Sequence, residues 1–242
     1  MNRIIEPELL DKLPPDDPRA VRSRRDLRRV NAWMRNHKLL AGALKNNWNG
    51  RALERITDLG SGDGYFLLNV ARSLSPPWPG ISATLLDRQQ IVSAEVLAAF
   101  ADLCWRAEAI AADASDWLRS GNTGQIVVTN LFLHHFENGR LVELLRAVAR
   151  RADLFVAIEP RRAAWPLFCC RWLWVIGCNA VTRHDARVSV RAGFSGRELS
   201  VLWPDKTNWQ LDERHASLFS HLFVARKIHG GAGVAPGTHR RE

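Results

Sequence analysis

The stretch Ile56-Thr57-Asp58-Leu59-Gly60-Ser61-Gly62-Asp63-Gly64 decides the fold of this chain. It joins a short strand to a helical pattern, and its glycines allow a tight turn and a close approach of the backbone to a ligand. A dinucleotide-binding loop has the spacing GxGxxG and holds a pyrophosphate at the start of the helix. Here the spacing is GxGxG, and the carboxylates of Asp58 and Asp63 would repel a phosphate. The loop therefore predicts a site for a ligand that carries positive charge.

Two further acidic residues follow the next two predicted strands. Asp87 comes about 25 residues after the loop, where a carboxylate can accept both hydroxyl groups of a ribose. Asp113 follows the third strand, where its side chain can accept a hydrogen bond from an adenine amino group. Acids at three successive strand ends favour a cationic nucleoside. Two alternatives remain. One is a dinucleotide-binding fold that binds NAD, and the other is a fold of the same type that binds no cofactor.

Strands and helices alternate over most of the chain. The predicted strands are 55–59, 82–86, 104–110, 125–129 and 154–158, and the predicted helices between them are 64–74, 91–100, 114–119 and 139–151. Continuous apolar strands between helices indicate a parallel sheet that is covered on both faces. Two final strands, 209–214 and 217–227, have no helix between them, so they predict a hairpin whose second strand is antiparallel.

The chain divides into three predicted segments. Residues 1–52 form a proline-containing arm and an Arg-rich helix over 21–45, which ends at the turn 48–50 and is expected to act as a lid. Residues 53–228 form the α/β domain, which includes an apolar helix over 163–176. Residues 229–242 contain four glycines and are expected to be a disordered tail.

Over residues 53–227 the chain resembles the class I S-adenosylmethionine-dependent methyltransferases. The resemblance implies an α/β, Rossmann-like sheet of seven mostly parallel strands with an antiparallel last strand. It also implies S-adenosylmethionine as the cofactor, with Gly60 and Gly62 on its methionine portion, Asp87 on its ribose and Asp113 on its adenine. The full set of expected cofactor-binding residues is Asp58, Gly60, Gly62, Asp63, Asp87, Arg88, Asp113, Ala114 and Asn130.

The segment Asn130-Leu131-Phe132-Leu133-His134-His135-Phe136 follows the fourth strand, where cofactor and acceptor should meet. It resembles the Leu-His-His-Phe stretch of small-molecule methyltransferases, including those of quinone biosynthesis. Methyltransferases that act on base amines carry prolines after the Asn, and this chain does not. His134 and His135 are therefore candidates for the general base that activates a hydroxyl group, and we expect at most one of them to have that role.

Further candidates lie in the last third of the chain. His184 beside Asp185 could form a base with its orienting carboxylate, and Arg183 could hold an anionic or phenolate substrate. Glu159, at the end of the fifth strand, is expected to face the rim of the site and is a third candidate for the base, and Trp165 offers flat apolar surface to a substrate ring. For residues 179–185 the alternative is a surface loop with ordinary charges, and for Trp165 it is ordinary core or surface packing.

The motifs Glu-Pro-Arg-Arg (159–162), Cys-Asn-x-Val-Thr-Arg-His-Asp (178–185) and Val-Arg-Ala-Gly-Phe (190–194) resemble bacterial methyltransferases associated with type III polyketide synthases. This resemblance implies a phenolic, quinol or pyrone polyketide that is methylated on oxygen. Methylation of a ring carbon would use almost the same residues.

Composition leaves one different acceptor open. Residues 1–50 contain eleven Lys or Arg against six Asp or Glu, within a net charge of +9 for the whole chain. An RNA methyltransferase could use the arginines of the first helix to bind phosphates, although the sequence contains no known RNA-binding module.

The four cysteines lack metal-site spacing, so we expect no metal. Without a signal peptide or a membrane span, the expected location is the cytoplasm.

Overall fold

A seven-stranded sheet forms the centre of the computed structural model, which describes residues 1–48, 52–121 and 124–228. The strands are β1 (Arg55–Leu59), β2 (Ser82–Asp87), β3 (Arg106–Ala111), β4 (Ile126–Asn130), β5 (Leu154–Pro160), β6 (Trp209–His215) and β7 (Ser220–Lys227). Their order is β3-β2-β1-β4-β5-β7-β6, and β7 runs antiparallel to both of its neighbours. The other pairs are parallel. This confirms the predicted Rossmann-like α/β fold and its C-terminal hairpin.

Helices cover both faces of the sheet. They are α1 (Pro18–Met34), α2 (Asn36–Asn47), α3 (Tyr65–Ser73), α4 (Ala94–Ala101), α5 (Ala114–Arg119), α6 (Asn138–Arg151), α7 (Ala164–Cys169), α8 (Ala180–Ala192) and α9 (Glu198–Leu202). Short 3₁₀ turns occur at Leu10–Lys12, Leu133–His135 and Cys170–Trp172.

The apolar strands contribute side chains to two separate core layers. Val128 points to the face covered by α2, α3 and α4, and its neighbour Val127 points to the face covered by α5, α6 and α9. On β5, Val156 likewise points to the first of these faces and Phe155 points to the second. Because successive side chains of a strand point to opposite faces, a central strand must be apolar at every position.

The single lid helix predicted over 21–45 is wrong, because the structure contains two helices there. Arg35 separates α1 from α2 and adopts a left-handed conformation with φ 56°. Leu40 and Leu44 of α2 are fully buried in the core, whereas α1 lies across the opening of the sheet edge. The arm and one face of α1 therefore lie over the opening of the cavity.

The last third of the chain differs from its prediction at two places. The apolar helix predicted over 163–176 ends at Cys169 and continues as a 3₁₀ turn. The polar cluster at 179–185 is the start of α8, where Asn179 caps the helix by accepting a hydrogen bond from the Thr182 amide at 2.8 Å.

Two predictions cannot be compared with the structure. Most of the turn at 48–50 and the whole tail at 229–242 lie outside the described residues. Within the described ranges, no helix combines the length and apolar character that crossing a membrane requires.

Candidate functional site

A cavity of about 860 Å³ opens at the carboxyl ends of β1, β2 and β4. Its floor is the loop 60–63, and its cover consists of residues 5–8, Leu10 and Asp11 of the arm together with one face of α1. The structure brings all nine residues expected to bind a cofactor to this one cavity. They are Asp58, Gly60, Gly62, Asp63, Asp87, Arg88, Asp113, Ala114 and Asn130.

The glycine loop has a backbone that other residues would strain. Gly60 and Gly62 have φ angles of 72° and 55°. A Cβ atom at Gly60 would lie 2.4 Å from the ring of Phe132. The Gly60 amide donates to the Leu86 carbonyl at 2.8 Å, and the Gly62 amide donates to the Asp87 carboxylate at 2.9 Å. These contacts hold the loop against the end of β2 and leave its open side facing the cavity.

Carboxylates give the floor of the cavity its negative charge. Asp58 is almost fully buried, and its Oδ2 atom has no hydrogen-bond partner. Burial, followed by repulsion from Asp87, raises the pKa of Asp58 well above its usual range. Burial also raises the pKa of Asp63, although Arg28, whose Nε lies 3.6 Å from Asp63 Oδ2, opposes this shift. An unsatisfied buried carboxylate is costly, so this arrangement fits a ligand that supplies a cationic donor.

Asp87 and Asp113 lie on the side where a nucleoside was expected. Asp87 accepts from the Gly62 amide through Oδ2 and from the Gln89 amide through Oδ1, which fixes its carboxylate at the cavity wall. Asp113 caps α5 by accepting from the Ser115 amide at 2.8 Å, and it pairs with Arg88 at 2.7 Å. The hydrogen bond from Arg88 is the main reason that the pKa of Asp113 is lowered. Both oxygens of Asp113 thus have partners already, and its contact with adenine stays a prediction.

Asn130 connects the cavity to the helices above it. Its Oδ1 accepts a hydrogen bond from Nδ2 of the fully buried Asn36 at 3.0 Å. Asn36 in turn accepts from the Ser220 hydroxyl at 2.7 Å. This chain of hydrogen bonds fixes the start of α2 against the ends of β4 and β7.

His134 is buried between two carboxylates. Its Nδ1 lies 2.8 Å from Glu159 Oε2 and its Nε2 lies 3.3 Å from Glu8 Oε1. Burial alone would lower the pKa of His134, but the hydrogen bonds to Glu159 and Glu8 outweigh it and raise the pKa to about 9. His134 is therefore charged at neutral pH, and both of its ring nitrogens are occupied.

The expectation that Glu159 faces the rim of the site is wrong. Its side chain is fully buried, and it accepts hydrogen bonds from the amides of Phe132, Leu133 and His134 as well as from the His134 ring. With these donors in place, Glu159 orders the turn that follows β4. It has no free position from which to take a proton from a substrate.

His134 and His135 both line the cavity, but only the ring of His135 is partly exposed. Burial, followed by the charge on His134, lowers the pKa of His135 to about 4. The ring is therefore neutral at neutral pH. The carboxylate of Asp11 lies 3.6 Å from His135 Nδ1, and burial, followed by repulsion from Glu8, raises the pKa of Asp11 to about 6.

One group in the described part of the chain has the composition of a metal site. Glu8, His134 and His135 each place a possible ligand atom within 4.8 Å of the others. A metal ion would compete with the proton that lies between His134 and Glu8, since both His134 nitrogens already contact carboxylates.

Comparison with solved structures identifies the fold of this chain. No family model and no curated protein matches the chain. The plantazolicin methyltransferase BpumL, solved in complex with SAH, aligns with a TM-score of 0.61 at 13% identity, covering 88% of this chain and 91% of that one. An O-methyltransferase family protein from Burkholderia thailandensis aligns with a TM-score of 0.59 at 15% identity, covering 89% of this chain and 61% of that one. The mitomycin 7-O-methyltransferase MmcR aligns with a TM-score of 0.58 at 16% identity, covering 90% of this chain and 60% of that one. The chain has the class I methyltransferase fold.

Three expected site residues lie away from the cavity of this methyltransferase fold. His184 does pair with Asp185, at 2.9 Å, but neither residue lines the cavity, and Asp185 also accepts hydrogen bonds from the amides of Leu9 and Leu10. Arg183 lies on α8 outside the lining, and Trp165 is exposed on α7. The structure therefore does not bring these three residues to the cavity. Asp185 instead anchors the arm that covers the cavity.

Sequence reasoning missed the arm as part of the site of this methyltransferase fold. Arg3 donates to the carbonyls of Phe136 at 2.9 Å and Ala192 at 2.8 Å, which ties the arm to the His-containing turn and to α8. Glu8 and Asp11 then reach His134 and His135. Two acidic residues in an otherwise proline-rich arm were the available signal, but their partners are more than a hundred residues away in the sequence.

Proposed function

We propose that this protein transfers a methyl group from S-adenosylmethionine to a hydroxyl oxygen of a small molecule. The observation that carries the proposal is the unpaired buried carboxylate of Asp58 beside the open backbone of Gly60 and Gly62. An apolar or anionic ligand would leave that carboxylate unsatisfied, whereas an ammonium group would donate to it. The similarity to BpumL, which was solved in complex with SAH, supports the same class of cofactor.

The proposal assigns each part of the cofactor to a group of residues that line the cavity. Asp58 and the amides of the glycine loop would hold the amino acid portion. Asp87 would accept the ribose hydroxyls, and Ala114, beside Asp113, would lie against the adenine. Bound S-adenosylmethionine supplies an electrophilic methyl group on a sulfonium. The work of the protein is to hold and align the two reactants, to exclude water and to receive a proton.

The acceptor would bind between the turn after β4 and the arm. The wall there includes Phe132, Phe136, Leu10 and Leu27, which suit an aromatic ring. The neutral ring of His135 can accept the proton of a hydroxyl group, and the nearby carboxylate of Asp11 would stabilise the imidazolium that forms. We therefore assign the base to His135 and a positioning role to the doubly paired His134.

Contacts of the α1 arginines favour a small acceptor over RNA. Arg19 pairs with Asp17 at 2.8 Å, Arg29 pairs with Asp26 at 3.3 Å and Arg28 lies 3.6 Å from Asp63. Arg24 donates to the Pro15 carbonyl. Three of these arginines have their charge offset by a carboxylate of the chain, which leaves less positive charge on α1 for the phosphates of RNA.

Phenols, quinols and pyrone-type polyketides are the acceptors we propose. The mitomycin and plantazolicin methyltransferases, which share the fold, act on natural products according to their names. The test is incubation of the purified protein with methyl-labelled S-adenosylmethionine and a panel of resorcinols, quinols and pyrones, followed by mass spectrometry. We expect an O-methyl product from at least one of them. Product methylated on a ring carbon would reassign the acceptor atom, and label that enters only RNA would overturn the small-molecule assignment.

A further inference from the structure

A group of exposed apolar side chains lies outside the cavity, between β5 and α8. Six side chains from residues 165–176 are each 48–60% exposed. We call them the aromatic patch, and they are Trp165, Phe168, Trp172, Trp174, Val175 and Ile176. The rings of Trp165 and Phe168 stack at 5.9 Å. Exposed large apolar side chains grouped within one short segment mark candidate interaction surfaces.

The backbone beneath the aromatic patch is internally hydrogen-bonded. The Val175 amide donates to the Trp172 carbonyl at 2.9 Å, and the Cys178 amide donates to the Leu173 carbonyl at 3.1 Å. Buried residues Pro166 and Cys178 attach the two ends of the segment to the protein. The segment can therefore enter an apolar environment with these amides already satisfied.

Arginines border the aromatic patch. Arg171 is exposed within the segment, and residues 163–178 contain no Asp or Glu. From α1, Arg22 donates to the Gly177 carbonyl at 3.2 Å and Arg29 donates to the Ile176 carbonyl at 2.6 Å. Arg187 of α8 is exposed and is close enough to Cys170 to affect its titration. Asp26, the acidic residue on this side of α1, is buried and pairs with Arg29.

We propose that the aromatic patch docks on the anionic surface of a lipid bilayer. Tryptophan and phenylalanine side chains favour the level of the lipid headgroups, and arginines bind anionic headgroups. A second copy of this chain fits less well, because a symmetric contact would bring the bordering arginines of both copies together. Docking is distinct from spanning, which no helix of the described ranges could do. It is also independent of methyl transfer.

Vesicle flotation of the full chain tests the proposal. We expect the wild type to float with vesicles of phosphatidylcholine and phosphatidylglycerol, and not with phosphatidylcholine alone. The double variant Trp172→Ser/Trp174→Ser should partition about tenfold more weakly, since it loses two apolar side chains from the interface. Trp33→Ser is the matched control, because Trp33 is a 70% exposed tryptophan outside the patch. It should bind as the wild type does. Arg171→Gln/Arg187→Gln should weaken binding to the anionic vesicles.

Three results would overturn the docking proposal. They are failure of the wild type to bind anionic vesicles, undiminished binding by the double tryptophan variant, and a concentration-dependent dimer that this variant converts to monomer. Thermal unfolding of each variant verifies its fold. Calorimetry with S-adenosylmethionine on the same preparations keeps this proposal apart from the proposed function, because a protein that binds the cofactor and not the vesicles refutes docking alone.

Discussion

Asp58 and Glu159 are buried carboxylates in opposite surroundings, so removing their charges should have opposite effects on stability. Asp58 has an oxygen without a hydrogen-bond partner and a pKa raised by burial and by Asp87. Glu159 accepts hydrogen bonds from three backbone amides and from the charged ring of His134. The first carboxylate opposes folding of the ligand-free protein at neutral pH, and the second supports it.

The variant Asp58→Asn keeps the size of the side chain and removes its charge. We expect the free energy of unfolding of the ligand-free protein to rise by about 1–3 kcal/mol, because a neutral amide costs less to bury beside Asp87 than a carboxylate does. Affinity for S-adenosylmethionine should fall by about 1.5–3 kcal/mol, roughly tenfold to a hundredfold, because a hydrogen bond to a charged group is lost. Glu159→Gln should instead lower the free energy of unfolding by about 3 kcal/mol.

Urea denaturation followed by tryptophan fluorescence measures the stability of both variants, and titration calorimetry measures cofactor affinity. A gain in stability together with a loss of affinity in Asp58→Asn is the expected signature of a carboxylate kept for binding. The reasoning is refuted if Asp58→Asn destabilises the protein as much as Glu159→Gln does, or if its affinity for the cofactor equals that of the wild type.

Three more outcomes follow from the site. Gly60→Ala should abolish cofactor binding in calorimetry, because its Cβ would lie 2.4 Å from the Phe132 ring at a φ of 72°; unchanged affinity would contradict this geometry. The pKa of His134 rises from 6.5 to about 9 on folding, so its stabilisation is complete below pH 6.5 and is lost as the pH rises through 9. Urea unfolding should show a loss of about 3 kcal/mol over that range in the wild type and a much smaller loss in His134→Gln. His135→Asn should lower kcat about a hundredfold in a methyl-transfer assay with cofactor affinity unchanged; an unaltered kcat would remove His135 as the base.

The residues expected to bind the cofactor could be assigned to one edge of the sheet because their signals in the sequence are local. Each residue expected there lies in the last residues of a strand or soon after it, and parallel strands bring their carboxyl ends to one edge of the sheet. Asp58, Asp87 and Asn130 could therefore be placed without knowledge of any distant contact.

The acceptor side could not be predicted in the same way. The first two turns of α8 contain Thr182, Arg183, His184 and Asp185, which favour a loop when considered alone. Thr182 and Asp185 are nevertheless buried, because their partners come from α1 and from the arm. Helical spacing of the apolar positions Val181, Val188 and Ala192, after an Asn that can cap a helix, was the signal available.

The break at Arg35 and the burial of Glu159 have the same kind of cause. A left-handed Arg between two helices depends on how α2 enters the core, and no glycine or proline marks the position. Glu159 ends an apolar strand, so its polar side chain was expected at the surface. Backbone amides of the turn after β4 instead satisfy it inside the protein.

Calorimetric titration of the wild-type protein with S-adenosylmethionine tests the central claim most directly, with NAD as the comparison ligand. The carboxylates of Asp58, Asp63 and Asp87 favour a cationic ligand and oppose a pyrophosphate at the glycine loop. We predict saturable binding of S-adenosylmethionine at one site per chain and no binding of NAD. Binding of NAD without binding of S-adenosylmethionine would contradict the account.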